Sequence, residues 1–257
     1  MAESIVVRDV TKRFKLAKQR TIKKLVLNAV RRKPLSDSFT ALRDISFTLE
    51  EGDSLALMGL NGSGKSTLLK LISGVMAPDD GEVLTRGRIA GLIEVGAGLH
   101  PDLTGRENVF LNGAILGMSE NEIKRKFDSI VAFSEVERFL DTEVRQYSSG
   151  MFMRLAFATA VHTECDIFLI DEVLAVGDQP FRRKCLDRIE ELRREGRTTV
   201  YVSHNPKQVL KMCKRGIVLK DGGMMFDGDA LGAIDALGYR LDFDDDDDDG
   251  GSGDGGE

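Results

Sequence analysis

The sequence predicts an α/β fold with a mostly parallel central sheet. Three short apolar runs carry this prediction: Asp53 to Met58, Asp166 to Glu172 and Thr198 to Ser203. The first run leads through a glycine-rich turn into a segment with helical spacing, Leu68 to Ile72, as in a strand-turn-helix unit. The second is almost continuously apolar, which is typical of a strand that is buried on both faces.

The remaining segments predict further elements in chain order. Ile5 to Val10 and Ile45 to Glu50 predict the strands of an edge sheet. Leu103 to Glu143 predicts a mostly helical segment, in which Ser119 and Glu122 form a capping box for a helix through about Phe133. Later patterns predict a helix between Pro180 and Gly196, a hairpin formed by Gly216 to Lys220 and Met224 to Asp227, and a last helix from Asp229 to about Leu237.

Composition excludes several classes of protein. A chain of 257 residues with 42% hydrophobic residues is sufficient for one large domain with its own core. No apolar stretch reaches about 18 residues, and the N-terminus lacks a signal-peptide pattern, so we expect a cytosolic protein. The three cysteines are widely spaced and form no C-x-x-C, which argues against a disulfide framework or a zinc site.

Charge is unevenly distributed along the chain. The net charge is −6, but the segment from Asp242 to Glu257 holds nine acids and no bases, which leaves 36 basic and 33 acidic residues elsewhere. Such a run of acids cannot bury surface, so residues 242–257 are predicted to form a disordered acidic tail. A solvated tail and an interaction segment are both open alternatives.

Thr21 to Lys33 predicts a basic amphipathic helix within an insertion at about residues 18–38. Its apolar residues share one face, while its lysines and arginines lie elsewhere. This pattern suits a membrane surface or the helices of a partner. An ordinary surface helix packed on its own domain is the alternative.

Gly59 to Thr67, which reads G-L-N-G-S-G-K-S-T, is the strongest functional motif. Glycines in such a loop let successive backbone N–H groups converge on phosphate oxygens, and the start of the following helix adds its positive end. Lys65 then reaches the β- and γ-phosphates, and Ser66 can bind Mg²⁺. The motif predicts a nucleoside triphosphate site.

Three further patterns support phosphate chemistry. The second apolar run ends on Asp171 and Glu172, which suit a Mg²⁺ ligand and a base for an attacking water, although an acidic helix cap is the alternative. Ser149 and Gly150 begin an apolar-periodic segment and form a second helix start able to bind phosphate. His204 directly follows the third apolar run, Thr198 to Ser203, which is rich in β-branched residues.

This order of motifs resembles the nucleotide-binding subunit of ABC transporters over almost the whole chain. The resemblance implies a P-loop NTPase core with a mostly parallel sheet, an antiparallel β subdomain and a helical subdomain at about residues 103–160, all within residues 1–241. Tyr147 to Met151 stands at the signature motif, Asp178 at the D-loop and His204 at the switch histidine. The implied nucleotide-binding residues are Phe14, Gly59, Asn61, Gly62, Ser63, Gly64, Lys65, Ser66, Thr67, Ser149, Gly150 and Asp178.

The resemblance also implies catalytic and metal-binding roles. Glu172, His204 and Lys65 are the implied catalytic residues. Ser66 and Asp171 are implied Mg²⁺ ligands, and Glu94 is the nearest candidate in the Q-loop region, where this chain has no glutamine. Phe14 stands where an aromatic ring stacks on adenine, although a lone phenylalanine beside a strand can equally be part of the core.

The phrases E-x-G-A-G, P-x-L-T-G-R-E-N and Y-S-S-G-M are most similar to ABC exporters of undecaprenyl-linked polysaccharides, such as O-antigen and teichoic acid. The resemblance implies ATP and Mg²⁺ as cofactors and a homodimer that binds ATP head to tail. It further implies an integral membrane permease as partner, a lipid-linked polysaccharide moved by that permease, a peripheral location on the cytoplasmic face of the membrane, and no nucleic acid.

Three classes of function compete at this point. The first is the exporter subunit just described, with an ABC ATPase for another substrate as its variant. The second is a soluble ABC ATPase that acts on nucleic acid or ribosomes; such proteins usually hold two cassettes or a long coiled coil, and neither pattern occurs here. The third is a P-loop GTPase or kinase, for which the guanine-selecting N-K-x-D is missing.

Overall fold

The computed structural model describes residues 2–16, 37–92, 98–171 and 178–239. Four of the predictions above lie outside these ranges, wholly or almost so: Glu94, Glu172, the basic insertion at about 18–38 and the acidic tail at 242–257. The described residues form two sheets and seven α-helices, with two short 3-10 helices at Glu137–Phe139 and Val144–Gln146.

The larger sheet has six strands, which are β3 (Ser54–Met58), β5 (Ile89–Gly91), β6 (Ile167–Ile170), β7 (Thr198–Val202), β8 (Arg215–Lys220) and β9 (Gly223–Asp229). Their order across the sheet is β5-β6-β7-β3-β8-β9. All neighbours pair in parallel except β8 and β9, which form an antiparallel hairpin. The mostly parallel α/β fold predicted from the sequence is therefore confirmed, and the carboxyl ends of β3, β6 and β7 lie side by side.

A smaller antiparallel sheet contains β1 (Glu3–Leu16), β2 (Asp37–Glu50) and β4 (Asp80–Thr85), in the order β2-β1-β4. Both long strands extend well beyond the predicted segments. Asp9 and Asp44 each adopt a φ of 49°, and the strand register shifts beside them. These bulges interrupt the apolar-polar alternation on which a sequence prediction depends, while the backbone pairing continues beyond them.

The seven helices are α1 (Lys65–Ile72), α2 (Gly105–Ile115), α3 (Glu120–Ser134), α4 (Ser149–Val161), α5 (Gln179–Arg194), α6 (Pro206–Met212) and α7 (Ala230–Ala236). Apolar side chains form three clusters. One cluster joins the large sheet to α4, α5, α6 and α7, and a second joins it to α1 and the smaller sheet. Cys165, Cys185 and Cys213 are buried free cysteines.

The third cluster is the core of a helical unit built from α2, α3 and α4. The predicted capping box at the start of α3 is wrong in one half. The Ser119 hydroxyl accepts the Glu122 N–H at 3.2 Å, but the Glu122 carboxylate does not return to the cap. A complete capping box instead precedes α2, where Thr104 and Glu107 bond reciprocally.

Glu122 is diverted from the cap because it joins the helical unit to the edge of the large sheet. Its carboxylate accepts the Arg88 guanidinium at 2.9 Å and the Glu164 N–H at 3.1 Å, and the residue is only 5% exposed. Burial by itself raises the pKa of the Glu122 carboxyl, but these two donors together hold that pKa below its ordinary value.

We predict that Glu122→Ala lowers the free energy of unfolding by about 1–3 kcal/mol, because it leaves a partly buried guanidinium without its partner. The folded-state pKa is lowered, so this stabilisation is present above the ordinary value of 4.5 and is lost as the pH falls through the folded-state pKa. Urea denaturation at pH 7 and at acid pH measures both effects. Glu120→Ala is the control, since Glu120 forms an exposed pair with Lys124. An equal loss in both variants would contradict the prediction.

Candidate functional site

The phosphate loop predicted from the sequence lies between the end of β3 and the start of α1. Three of its glycines adopt positive φ angles, namely 139° at Gly59, 81° at Gly62 and 109° at Gly64. Residues with a side chain rarely adopt these angles. Gly64 forms the N-cap of α1, so the helix begins at Lys65 without a side-chain cap of its own.

Two neighbouring strands hold this loop in place by close approach. A Cβ atom on Gly59 would lie 2.2 Å from the carbonyl oxygen of Leu219 in β8. A Cβ atom on Gly64 would lie 2.7 Å from the carbonyl oxygen of Ala41 in β2. Both contacts are with backbone atoms, which cannot move aside. The loop is therefore wedged between β8 and β2, and only glycine fits at these two positions.

Lys65 is enclosed by the same loop. The residue is 8% exposed, and its ammonium donates to the Gly59 carbonyl at 2.6 Å and to the Leu60 carbonyl at 3.1 Å. These bonds place a positive charge at the centre of the backbone turn. The loop thus combines a buried cation with a helix start, and both features favour an anion.

A pocket of about 280 Å³ opens onto the loop. It is lined by Phe14, Phe39, Ala41, Asn61, Gly62, Gly64, Lys65, Ser66, Thr67 and Asp171. Eight of the predicted site residues, including the predicted Mg²⁺ ligand Asp171, are therefore brought together with two others. Phe39 and Ala41 are the two that the sequence reasoning missed.

The residues of this pocket fit a Mg²⁺-bound triphosphate. The hydroxyl of Ser63, within the loop but not on the pocket wall, is buried and has no hydrogen-bond partner among the described residues, as expected in a turn shaped for an external acceptor. Ser66 lies in the first turn of α1, and Asp171 directly follows β6. Mg²⁺ is commonly held by one or two such oxygen ligands together with substrate phosphates and waters.

A larger open groove, of about 1280 Å³, lies against α5 and contains Gln179, Pro180 and His162. None of the predicted catalytic or nucleotide-binding residues lines it. The smaller pocket remains the candidate site, because the lysine, the glycines and the acidic residue converge there.

His204 lies just beyond β7, two residues after its last residue Val202. Because β7 is flanked by β3 and β6, His204 follows a strand end at the same sheet edge as the loop and Asp171. It does not line the pocket itself. Glu172 and Glu94 lie outside the described residues, so their predicted roles remain predictions.

Ser149 and Gly150 occupy the first turn of α4, as the sequence predicts. The hydroxyl of Ser148 caps this helix by accepting the Met151 N–H at 3.2 Å. Ser149 is exposed and neither residue lines the pocket. One copy of the chain thus presents two separate features that are predicted to bind phosphate, one on the sheet and one on the helical unit.

Asp178 is likewise not part of the pocket lining. It caps α5, where its carboxylate accepts the Phe181 N–H at 3.4 Å and the Arg154 guanidinium at 2.7 Å. Burial by itself raises the pKa of Asp178, but Arg154 and the Phe181 amide hold it below its ordinary value. Arg154, from the second turn of α4, also pairs with Glu135. Its role was not predicted, because it lies inside an otherwise apolar helical pattern.

These features define a P-loop nucleotide-binding cassette: a glycine-rich loop between a parallel strand and a helix, an acid at the end of the next strand but one, and a capped helix start in a separate helical unit. The chain belongs to the ABC transporter family. The family model described as ABC transporter matches residues 42–175. The described residues contain no helix that is long and apolar enough to cross a membrane.

Similar proteins include exporter components. The chain is 45% identical over 228 residues to the O-antigen export system ATP-binding protein RfbB of Myxococcus xanthus, covering 86% of this chain and 52% of the relative. It is 44% identical over 193 residues to the teichoic acids export ATP-binding protein TagH of Listeria monocytogenes, covering 75% of this chain and 57% of the relative. The chain thus spans just over half the length of both relatives.

A solved structure is also similar. The ATP-binding cassette MJ0796, in a dimeric post-hydrolysis state bound to ADP and Pi, matches with a TM-score of 0.70 and 25% identity. The match covers 88% of this chain and 98% of that one. The fold of this chain is therefore that of an ABC ATPase cassette, as predicted.

We predict that Gly59→Ala lowers the free energy of unfolding by at least about 3 kcal/mol, because the new methyl group meets a backbone carbonyl and the φ angle is unfavourable. Gly62→Ala is the matched control. Its φ is also positive, but nothing lies within 4 Å of the added atom, so the expected loss is about 1 kcal/mol. Urea denaturation of both variants measures the difference. Equal losses would show that the close contact between Gly59 and β8 does not contribute to stability.

Proposed function

We propose that this chain is the ATP-binding and ATP-hydrolysing subunit of an ABC exporter that moves a lipid-linked polysaccharide across the cytoplasmic membrane. The observation that carries the ATP site is the enclosed Lys65 ammonium within a glycine loop that opens onto a pocket shared with Ser66 and Asp171. Membership of the ABC transporter family and similarity to O-antigen and teichoic acid export proteins support the transport role.

In this proposal the triphosphate occupies the glycine loop. Lys65 donates to the β- and γ-phosphates, and Gly59, Asn61, Gly62, Ser63, Gly64 and Thr67 shape or line the phosphate cradle. Mg²⁺, held by Ser66 and Asp171, supplies charge neutralisation for the phosphates when bound. Glu94 is proposed as a further ligand. Phe14 forms an aromatic surface for the adenine.

Glu172 and His204 are proposed to orient the attacking water and to handle its proton. His204 follows β7, which is adjacent to β3, and Glu172 follows β6, the next strand along, so both come after strands that end at the sheet edge where the phosphate loop begins. A positioned acid-base group of this kind typically contributes about a hundredfold to ten thousandfold in rate. Lys65 balances the charge that develops on the transferred phosphoryl group.

The site is proposed to be completed by a second copy of the chain. Ser149 and Gly150 form a helix start that points to phosphate binding, yet they lie apart from the pocket of their own copy. A head-to-tail pair would bring this helix start to the partner's triphosphate, with Asp178 near the junction. The dimeric form of the similar cassette MJ0796 supports this arrangement.

The transport partner is proposed to be an integral membrane permease, with this subunit bound peripherally at the cytoplasmic face. Residues 1–241 would form the nucleotide-binding domain, with the basic insertion at about 18–38 directed to the permease or the membrane surface. The acidic tail at 242–257 is proposed to be solvated. No nucleic acid is a proposed partner, since the relatives named above are export proteins.

We predict that Glu172→Gln retains ATP binding, lowers kcat by at least about a hundredfold and accumulates as a dimer with Mg²⁺ and ATP, because binding persists while water activation is lost. ATPase assays and analytical ultracentrifugation measure these effects. Glu137→Gln, at an exposed position in the helical unit, is the control. Unchanged turnover in Glu172→Gln would remove that residue from catalysis, and a strictly monomeric variant would contradict the paired site.

The export step has its own test. A cell that makes Glu172→Gln as its only copy should accumulate lipid-linked polysaccharide on the cytoplasmic side of its membrane, and the purified subunit should co-purify with the permease. Normal surface glycan in such cells, with ATPase activity lost in vitro, would favour an ABC ATPase for another substrate. Purification on ribosomes without any permease would favour a soluble ABC ATPase.

A further inference from the structure

Phe39 occupies an unusual place for a large apolar side chain. It is 51% exposed, and its ring makes no contact with another ring or cation in the part of the chain that the structure describes. Exposure alone carries no argument, because single exposed apolar residues such as Leu60 and Val75 are common on protein surfaces. The position of Phe39 relative to the candidate site distinguishes it from them.

Phe39 in β2 is the direct cross-strand partner of Phe14 in β1. Side chains at paired positions of an antiparallel ladder lie on the same face, with their Cβ atoms about 5 Å apart. Both rings line the pocket that contains the phosphate loop. The two phenylalanines therefore lie on the same side of the pocket, although 25 positions separate them in the sequence.

The strand that carries Phe39 is held firmly against the phosphate loop. Ala41, two residues after Phe39 in β2, stands at a shift of the strand register and lines the same pocket. The Ala41 carbonyl approaches Gly64 so closely that a Cβ atom there would lie 2.7 Å from it. The Arg43 N–H donates to the Gly222 carbonyl at 2.7 Å and fixes the strand to the hairpin of the large sheet. The distance from Phe39 to the phosphate cradle is therefore set by packed backbone.

Phe14 offers less free aromatic surface than Phe39. The Lys12 ammonium lies 5.9 Å from the centre of the Phe14 ring, and Phe14 is only half-buried. A nucleotide base that extends away from the phosphate loop can stack on a larger aromatic area if it contacts both rings than if it contacts Phe14 alone. Base stacking on aromatic rings tolerates different bases, since every base has a π face.

From this geometry, and resting on the proposed function, we propose that Phe39 is a second base-contacting residue of the nucleotide site. Together with Phe14 it forms a two-ring platform that selects purine over pyrimidine nucleotides by stacking area. Among the described residues that line the pocket, the neighbour of Phe39 on β2 is Ala41, whose side chain offers no hydrogen bond, so the platform itself distinguishes adenine poorly from guanine.

The test measures the binding of ATP, GTP, UTP and linear tripolyphosphate, each with Mg²⁺, to the full chain by isothermal titration calorimetry. Phe39→Ala should weaken the binding of ATP and of GTP about tenfold and the binding of UTP by less. The binding of tripolyphosphate should not change, because this ligand has no base. In ATPase assays KM should rise in parallel while kcat at saturation is retained. Phe39→Tyr should restore the affinity, since a phenol ring stacks as well as a phenyl ring.

Phe139→Ala is the matched control, because Phe139 is 48% exposed and lies in a 3-10 helix of the helical unit. It should leave all four affinities unchanged. Unaltered ATP affinity in Phe39→Ala, or an equal loss for tripolyphosphate, would overturn the proposal and assign Phe39 to packing of the β1-β2 hairpin. If the wild-type chain binds tripolyphosphate as tightly as ATP, the two-ring platform is wrong while the phosphate site stands. If it binds neither, the proposed function itself fails.

Discussion

The close approach of three backbone segments around the phosphate loop is the constraint on which the rest of the site depends. The loop leaves β3 between the carbonyl of Leu219 and the carbonyl of Ala41, and glycines at 59 and 64 are the only residues that fit. This packing fixes the loop to β8 of the large sheet and to β2 of the smaller sheet at once. Phe39, the Lys65 ammonium and the acidic end of β6 therefore keep set positions relative to one another, as a preorganised binding site requires.

A feature of this site can be predicted from the sequence when the residues that form it are close together along the chain. The phosphate loop, Asp171 and the helix start at Ser149 are predictable because each is a local pattern in which turn, strand or cap chemistry involves neighbouring residues. The structure places all of them at the predicted strand ends or helix starts. The strand order that brings Asp171 beside the loop involves segments far apart in the sequence. Only the family resemblance predicts that order.

The features that escaped prediction depend on pairing between distant segments. Phe39 is significant only through its register with Phe14, and that register passes bulges at Asp9 and Asp44 where the alternation of the sequence is broken. Glu122 has the spacing of a capping residue, but a guanidinium from the β5 edge competes for its carboxylate and prevails, since a buried charge gains more from a cationic partner than from a neutral amide. A single sequence contains no signal for either effect.

The helix start at Ser149 is also held by distant packing, and this bears on how the proposed pair of copies would close. The helix α4 contributes Phe157 to the core beneath the large sheet and Leu155 to the core of the helical unit. Phe133 of α3 packs against both cores. Since α4 is shared in this way, it cannot turn by itself without opening two apolar clusters, at a cost that scales with the area exposed.

Ion pairs also connect α4 to α3 and α5. Arg154 of α4 bonds to Glu135 at the end of α3 and to Asp178 at the start of α5, and Lys184 of α5 bonds to Glu135 from the other side at 2.9 Å. The two cations also lie 4.7 Å from the ring centres of Phe181 and Phe133 respectively. A displacement of Asp178 therefore acts directly on α4, the helix that carries Ser149, through the Arg154 ion pair. In the proposed head-to-tail pair, Asp178 and the helix start that is proposed to bind the partner's phosphate would respond together, because one network of side chains holds both.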